Sequence, residues 1–241
     1  LYEYQRRATQ QDSFAEWYAI DPPLPHHYFA DENLKAGSSV NGGIMPLVGG
    51  ELALAAFKHG LESYGDSILR KYAQLVEETE SSAFCYDRDG LIAPRYRIRD
   101  VSKAVADGWG CSAMLNAFVE GLCGVEDLGT TLEHVRLTPR WLAAKCSDVR
   151  VELGYQGHRG VRYHYLYDEE SASLTVKVHT PGICELHVLL PDRVPVIETA
   201  LNGESCPYAL SRVENSKYLE FPAQSGDFEV VVNLSPGSSP A

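Results

Sequence analysis

Apolar positions recur every three to four residues through the first half of the chain and at every second residue through much of the second half, a change from helical to strand periodicity. Met45 to His59 carries Leu47, Leu52, Leu54, Ala55, Ala56 and Phe57, with Gly60 placed as a left-handed C-terminal residue, and this spacing predicts a helix. Asp66 is positioned to cap a second helix, Ile68 to Glu78, on which Ile68, Leu69, Tyr72, Leu75 and Val76 share a face. A third helix is expected over Cys111 to Cys123, with Met114, Leu115, Phe118, Val119 and Leu122 on one side, Gly124 beyond its end and Gly108-Trp109-Gly110 as the turn before it. After about Glu133 the pattern alternates. Val149, Val151 and Leu153, then Tyr163, Tyr165 and Tyr167, then Leu174, Val176 and Val178, then Cys184, Leu186, Val188 and Leu190, and finally Phe228, Val230 and Val232 read as half-buried strands.

The predicted organisation is therefore a helical region over residues 1–132, an antiparallel β-sandwich over 133–235 and a flexible tail over 236–241. The first residues already read as part of a running helix and lack an initiator Met, so an upstream portion is expected. Two long connections stand out as places for function. One runs from Ile20 to Val40 and the other from Ser81 to Asp100.

Composition narrows the partners. The formal charge of −12 is expected to have no clustered Lys/Arg face to offset it, which argues against nucleic acid or an anionic membrane and for neutral or cationic small ligands. No run of 18 or more apolar residues predicts a membrane span. Six cysteines without C-x-x-C spacing read as free and mostly buried, which favours a cytoplasmic setting without fixing the compartment. No G-x-S-x-G, P-loop or dinucleotide fingerprint is present. The expected cofactor is none, and His26-His27 lacks a third ligand at metal spacing. His164, His179 and His187 read as strand residues, and Glu51 and Glu120 as structural helix residues.

Cleaving a glycosidic bond ordinarily takes two carboxyl groups, one giving a proton and one activating water or attacking the sugar. The best carboxylate for such chemistry is Glu16, followed by Trp17 and Tyr18; an indole beside it offers a platform for a sugar face. The plainer alternative is a helix-surface Glu beside two packing aromatics. Asn41-Gly42-Gly43-Ile44-Met45-Pro46 ends a loop and opens a helix, and it reads either as an amide that binds hydroxyls beside closely approaching backbone or as a tight turn with an Asn cap. Trp109 is a stacking candidate or a wedge between helix ends. Asp87, in Tyr86-Asp87-Arg88-Asp89-Gly90, belongs to a pocket loop or an ordinary turn.

Glu16-Trp17, a variable loop and Asn41-Gly42-Gly43-Ile44-x-Pro46 leading into a helix resemble the alkaline and neutral invertase family, and more broadly the six-hairpin toroid glycosidases. The resemblance covers about residues 14 to 60. It departs at Met45, where the family has Trp, and in a longer intervening loop. Gly108-Trp109-Gly110-Cys111-Ser112-Ala113 resembles the last inner helix of rhamnosidase-like toroid enzymes, and Val135 to Trp141 resembles their passage to a C-terminal β-domain.

The resemblance implies a fold class of α+β multidomain type, a partial (α/α)6 toroid followed by a β-sandwich. It also implies Glu16 as one of two catalytic carboxylates, acting as general base in an inverting reaction, with the acid lying upstream of Leu1. Trp17, Asn41, Gly42, Gly43, Asp87 and Trp109 become substrate-binding candidates and a carbohydrate the expected substrate. An incomplete toroid would leave an apolar helical face for a second copy or a missing segment to cover. A non-catalytic carbohydrate-binding module is the alternative, and a phosphorylase using Arg95, Arg97 and Arg99 is a third.

Overall fold

The structure is a computed structural model that describes residues 1–8, 13–31, 34–93, 107–156 and 160–235. Arg95, Arg97 and Arg99 and the tail 236–241 lie outside the described residues. The chain has a mixed α/β architecture, with four α-helices and a large sheet among the described residues. Its packing divides it into two compact units, Leu1–Phe118 and Val119–Ala241.

The first unit contains α1 (Tyr2–Ala8), α2 (Pro46–Lys58), α3 (Glu62–Thr79) and α4 (Gly108–Asn116). α2 follows the predicted helix closely. Pro46 opens it where no backbone donor is needed, and Gly60 follows it at φ 72°. α3 starts a turn earlier than the sequence indicates. Asp66 is not its cap but sits inside it, accepting from Arg70 Nε at 2.7 Å, while Glu62 supplies the acidic first turn. Gly65 can sit within this helix because the Phe57 ring occupies the space a side chain would need, 2.9 Å from an added Cβ.

Gly108-Trp109-Gly110 is not a turn either. It forms the first turn of α4, because the Asp107 side chain accepts from the backbone N–H groups of Trp109 and Gly110 and caps it. The predicted third helix continues in a π-helical segment, Ala117–Leu122.

α2 is rich in small residues because other groups press on its backbone. An added Cβ at Gly49 would lie 2.6 Å from the Trp17 ring, and one at Gly50 would lie 2.4 Å from the Ala113 backbone on α4. Glycine costs roughly 1 kcal/mol of helix propensity, and close packing offsets that cost. Buried Trp17, Ile44, Ala53, Ala56, Tyr64, Ile68, Leu75, Tyr86 and Met114 complete this core.

The second unit contains β1 (Val125–Asp127), β2 (His134–Leu137), β3 (Asp148–Leu153), β4 (Val161–Asp168), β5 (Ser173–Leu189), β6 (Val196–Leu201), β7 (Glu204–Ser205), β8 (Ala209–Val213), β9 (Ser216–Glu220) and β10 (Gln224–Leu234). The two strands read separately at Leu174–Val178 and Cys184–Leu190 are one, β5. It pairs with β4 up to His179, then with β2 from Ile183, and with β10 along most of its length. Gly182 marks the change of partner, since an added Cβ there would stand 1.9 Å from the Glu133 carbonyl. The expectation of purely antiparallel pairing fails at one place, because β2 and β5 are parallel.

Burial alternates along β4, β5 and β10, so one face is apolar. Its ordering bonds are polar: Trp141 Nε1 donates to Tyr163 Oη at 2.8 Å, and that hydroxyl donates to the Cys123 carbonyl at 2.6 Å. All six cysteines are free, but only Cys85, Cys123 and Cys184 are buried; burial pushes each of those three thiols up to about 12. Cys111 is exposed, contrary to a mostly buried set. A second correction concerns charge, because the opposite face of the sheet brings Arg150, Arg162 and Lys177 onto neighbouring strands, a grouping hidden in the linear order.

The α2–α4 approach is testable. Gly50→Ala should lower stability in urea by about 1–3 kcal/mol through overpacking, whereas Gly108→Ala, where an added Cβ meets nothing within 4 Å, should be neutral or stabilising by up to about 1 kcal/mol. Equal effects on the unfolding midpoint would contradict the described packing.

Candidate functional site

Four short extended segments of the first unit align side by side. Tyr18 bridges to Ile44, Ile44 to Tyr86, and Tyr86 to Ile92. Met45 N donates to the Trp17 carbonyl at 2.9 Å, and Ile44 N and Tyr86 N exchange bonds with each other's carbonyls at 2.7 and 2.8 Å. This ladder sets Glu16-Trp17, Asn41 to Gly43 and Asp87 on adjoining segments, although they are far apart in sequence.

Glu16 is 3% exposed. Its Oε1 accepts from Tyr64 Oη at 2.7 Å and its Oε2 from Lys71 Nζ at 3.3 Å. It is therefore not the exposed helix residue of the plainer reading. A carboxylate at such depth is tolerated because both oxygens are bonded and one bond comes from a cation. Tyr64 and Lys71 lie seven residues apart on α3, two helical turns, and so share a face. Burial first, and then the bond to Glu16, push the Tyr64 hydroxyl well above its ordinary value, so it remains a donor at any physiological pH.

Trp17 does not offer an open platform. Its ring is fully buried against Gly49, and its Nε1–H has no partner among the described residues. Asn41 is also fully buried. Its Nδ2 donates to the carbonyls of Leu24 and Leu34 at 2.9 and 3.1 Å, and its Oδ1 accepts from Leu24 N at 2.7 Å. Both amide donors are thus used to fasten the long loop.

Gly42, at φ 91°, would bring a Cβ to 3.1 Å from Pro23 and 3.3 Å from Arg88, and Gly43 would bring one to 2.4 Å from the Ser39 carbonyl. Asp87 accepts from Ser38 Oγ at 2.9 Å, and its carbonyl accepts from Gly90 N at 2.9 Å, which makes its segment a turn tied to the same loop. Trp109 stands apart, 69% exposed, with Phe84 edge-on at 6.1 Å between ring centroids. It is the exposed aromatic of the candidate set.

Arg88 and Asp21 were not singled out in the sequence. Arg88 Nε donates to the Gly42 carbonyl at 3.1 Å, its Nη2 donates to Asp21 Oδ1 at 3.3 Å, and its guanidinium lies 4.4 Å from the centre of the Tyr18 ring. Arg7 donates to the other Asp21 oxygen. Nothing in the linear order marks this arrangement, because its members come from α1 and three loops. His26 and His27 begin a short 3-10 turn. No group of three or more His, Cys, Asp or Glu able to hold a metal ion occurs among the described residues, and no helix among them is long and apolar enough to cross a membrane.

The Asn41 bonds carry a prediction for the loop. Asn41→Ala should cost about 2–3 kcal/mol by leaving three loop backbone groups unpaired, and trypsin should then cut faster after exposed Lys35. An unchanged cleavage rate would show that Asn41 does not fasten the loop.

No family model matches the chain, and neither does any curated protein sequence. Among solved structures it is similar to an α-L-rhamnosidase from Dictyoglumus thermophilum, with a TM-score of 0.51 at 13% identity over 78% of this chain and 20% of that one. This shows a shared fold with one part of that protein, about a fifth of its length. A GH127 β-L-arabinofuranosidase from Geobacillus stearothermophilus T6 (TM-score 0.34, 15% identity, 83% of this chain and 35% of that one) and the cycloalternan-forming enzyme from Listeria monocytogenes (0.32, 13%, 46% and 12%) superpose too loosely for the same inference.

Proposed function

We propose that the chain is the C-terminal part of a glycoside hydrolase, the last hairpins of an (α/α)6 toroid joined to a β-sandwich, and that Glu16 is its general base in an inverting two-carboxylate reaction. The observation that carries this reading is the Glu16 carboxylate itself: buried and oriented by Tyr64 at 2.7 Å and Lys71 at 3.3 Å. A buried carboxylate flanked by a cation and a hydroxyl is costly as mere structure. The fold shared with part of the rhamnosidase agrees with this assignment.

In the intact protein the acid comes from a segment outside this sequence, and further hairpins cover the α4 face on which Leu115 is exposed. Each Glu16 oxygen accepts one side-chain bond and keeps a further lone pair for water, so activation needs room beside the carboxylate. Lys71, the longer of the two contacts and 21% exposed at its side chain, is the group that yields, while Tyr64 keeps the carboxylate oriented. Asn41, Gly42, Gly43 and Asp87 then act by holding the pocket-side loop in shape rather than by touching sugar, and Trp109 stacks on the ring.

In the intact protein, Glu16→Gln should cut turnover of a reducing-sugar assay or an aryl-glycoside panel by about 10²–10⁴-fold. The folded state should lose only about 1–2 kcal/mol, since Lys71 can turn toward water. Turnover that falls no further than the folded fraction would overturn the catalytic role.

A second reading is favoured by the occupied oxygens of Glu16 and the closed surface of Trp17: a non-catalytic carbohydrate-binding module. In that case mono- or disaccharide binding, read by thermal shift, survives Glu16→Gln but is lost in Trp109→Ala. Binding that survives Trp109→Ala removes Trp109 from both readings.

A further inference from the structure

The outward positions of β3, β4, β5 and β10 form two rows across the sheet. The first runs Arg150, His164, Lys177, Glu229 and the second Glu152, Arg162, His179, Asp227. His164, Lys177, Arg162 and His179 thus make a two-by-two block of basic side chains, with Arg150 adjoining it on β3. Arg150, Arg162 and Lys177 gather positive charge on this face, and anions beside them lower its cost.

Some are supplied by the protein. Lys177 Nζ lies 2.8 Å from Glu229, His179 Nδ1 2.7 Å from Asp227, and His164 Nε2 2.7 Å from Asp148. Arg150 and Arg162 receive none. Neither side chain has a hydrogen-bond or ion-pair partner among the described residues, although Glu152 stands opposite Arg162 in register. These residues line a cleft of about 490 Å³, within the usual range for small-molecule sites.

The chemistry of the cleft decides what can occupy it. Aromatic stacking is missing, since the Tyr163 ring belongs to the opposite, buried face, where its hydroxyl bonds to Cys123, so a neutral sugar finds no platform. Metal binding fails for want of a third ligand among the described residues. A guanidinium presents a planar fork of donors that matches a carboxylate, sulfate or phosphate in bidentate fashion. Arg150 and Arg162 sit on neighbouring strands as diagonal neighbours, roughly 7–8 Å apart, so one ligand can meet both.

We propose that this cleft binds a small oxyanion-bearing solute, held by Arg150 and Arg162 with Lys177 adding attraction, on a chain whose overall charge of −12 repels anions elsewhere. The site is independent of Glu16 and of the reading built on it. Glu152, at the rim beside Arg162, limits the affinity.

Calorimetric titration of the full chain with inorganic sulfate and, separately, with trigalacturonate tests the proposal. Saturable binding is expected that weakens with added chloride, falls at least tenfold in the Arg150→Gln/Arg162→Gln double variant and tightens severalfold in Glu152→Gln. Arg212→Gln on β8, outside the cleft, should leave it unchanged. The substituted side chains are exposed, and melting temperatures of the variants verify that each is folded. Sulfate binding alone assigns a tetrahedral oxyanion, and trigalacturonate binding alone assigns a carboxylate. No saturable heat with either probe, or equal affinity in the double variant, overturns the site.

Discussion

The Trp17 ring lies directly on the backbone of α2 at Gly49, and much of the first unit depends on that contact. With the indole seated there, the Trp17 carbonyl is in place to accept from Met45 N, the residue before the first turn of α2. The same placement directs the preceding side chain, Glu16, toward α3, where Tyr64 and Lys71 meet it. A side chain at Gly49 would stand 2.6 Å from the ring and displace it, and interiors this dense do not absorb such a shift locally. Orientation of the carboxylate is therefore a consequence of helix packing, established before any ligand is considered.

Polar groups in this unit are mostly spent on holding loops. Asn41 carries three bonds to Leu24 and Leu34, and Arg88 joins Gly42, Asp21 and the Tyr18 ring. Each satisfies backbone or charge that a long irregular segment would otherwise bury unpaired. Glycines at 42 and 43 follow from the same crowding, because Pro23, Arg88 and the Ser39 carbonyl already occupy the space beside them. The Asn-Gly-Gly signature is thus explained by loop construction alone, and any contact with a ligand has to be argued separately.

What the sequence revealed follows the range of the forces involved. α2 was legible because its apolar spacing, Pro46 and Gly60 are all local signals, and β3, β4 and β10 were legible from strict alternation. Asp66 misled, because a capping residue type also serves in an i to i+4 pair with Arg70. Asp107 was overlooked as the cap that turns Gly108-Trp109-Gly110 into helix. The continuity of β5 was hidden by Pro181-Gly182, which punctuates a strand that in fact only changes partners there. Glu16 could be singled out from its neighbours, but Tyr64 and Lys71 could not, since the contact spans 48 and 55 residues.

The same reasoning separates the two faces of the sheet. The inner face is specified by alternation within each strand, which any reader of the sequence can see. The outer face acquires its character only from register: a slip of one residue between β4 and β5 would turn every outward side chain of one strand inward. Because the apolar residues of β4, β5 and β10 forbid that slip, they also fix which charges stand opposite one another. The concentration of basic side chains around Arg162 is therefore enforced by the hydrophobic core beneath it, with Glu229 beside Lys177, Asp227 beside His179 and Asp148 beside His164. The remaining imbalance, at Arg150 and Arg162, is a property of the fold and not of either strand's composition.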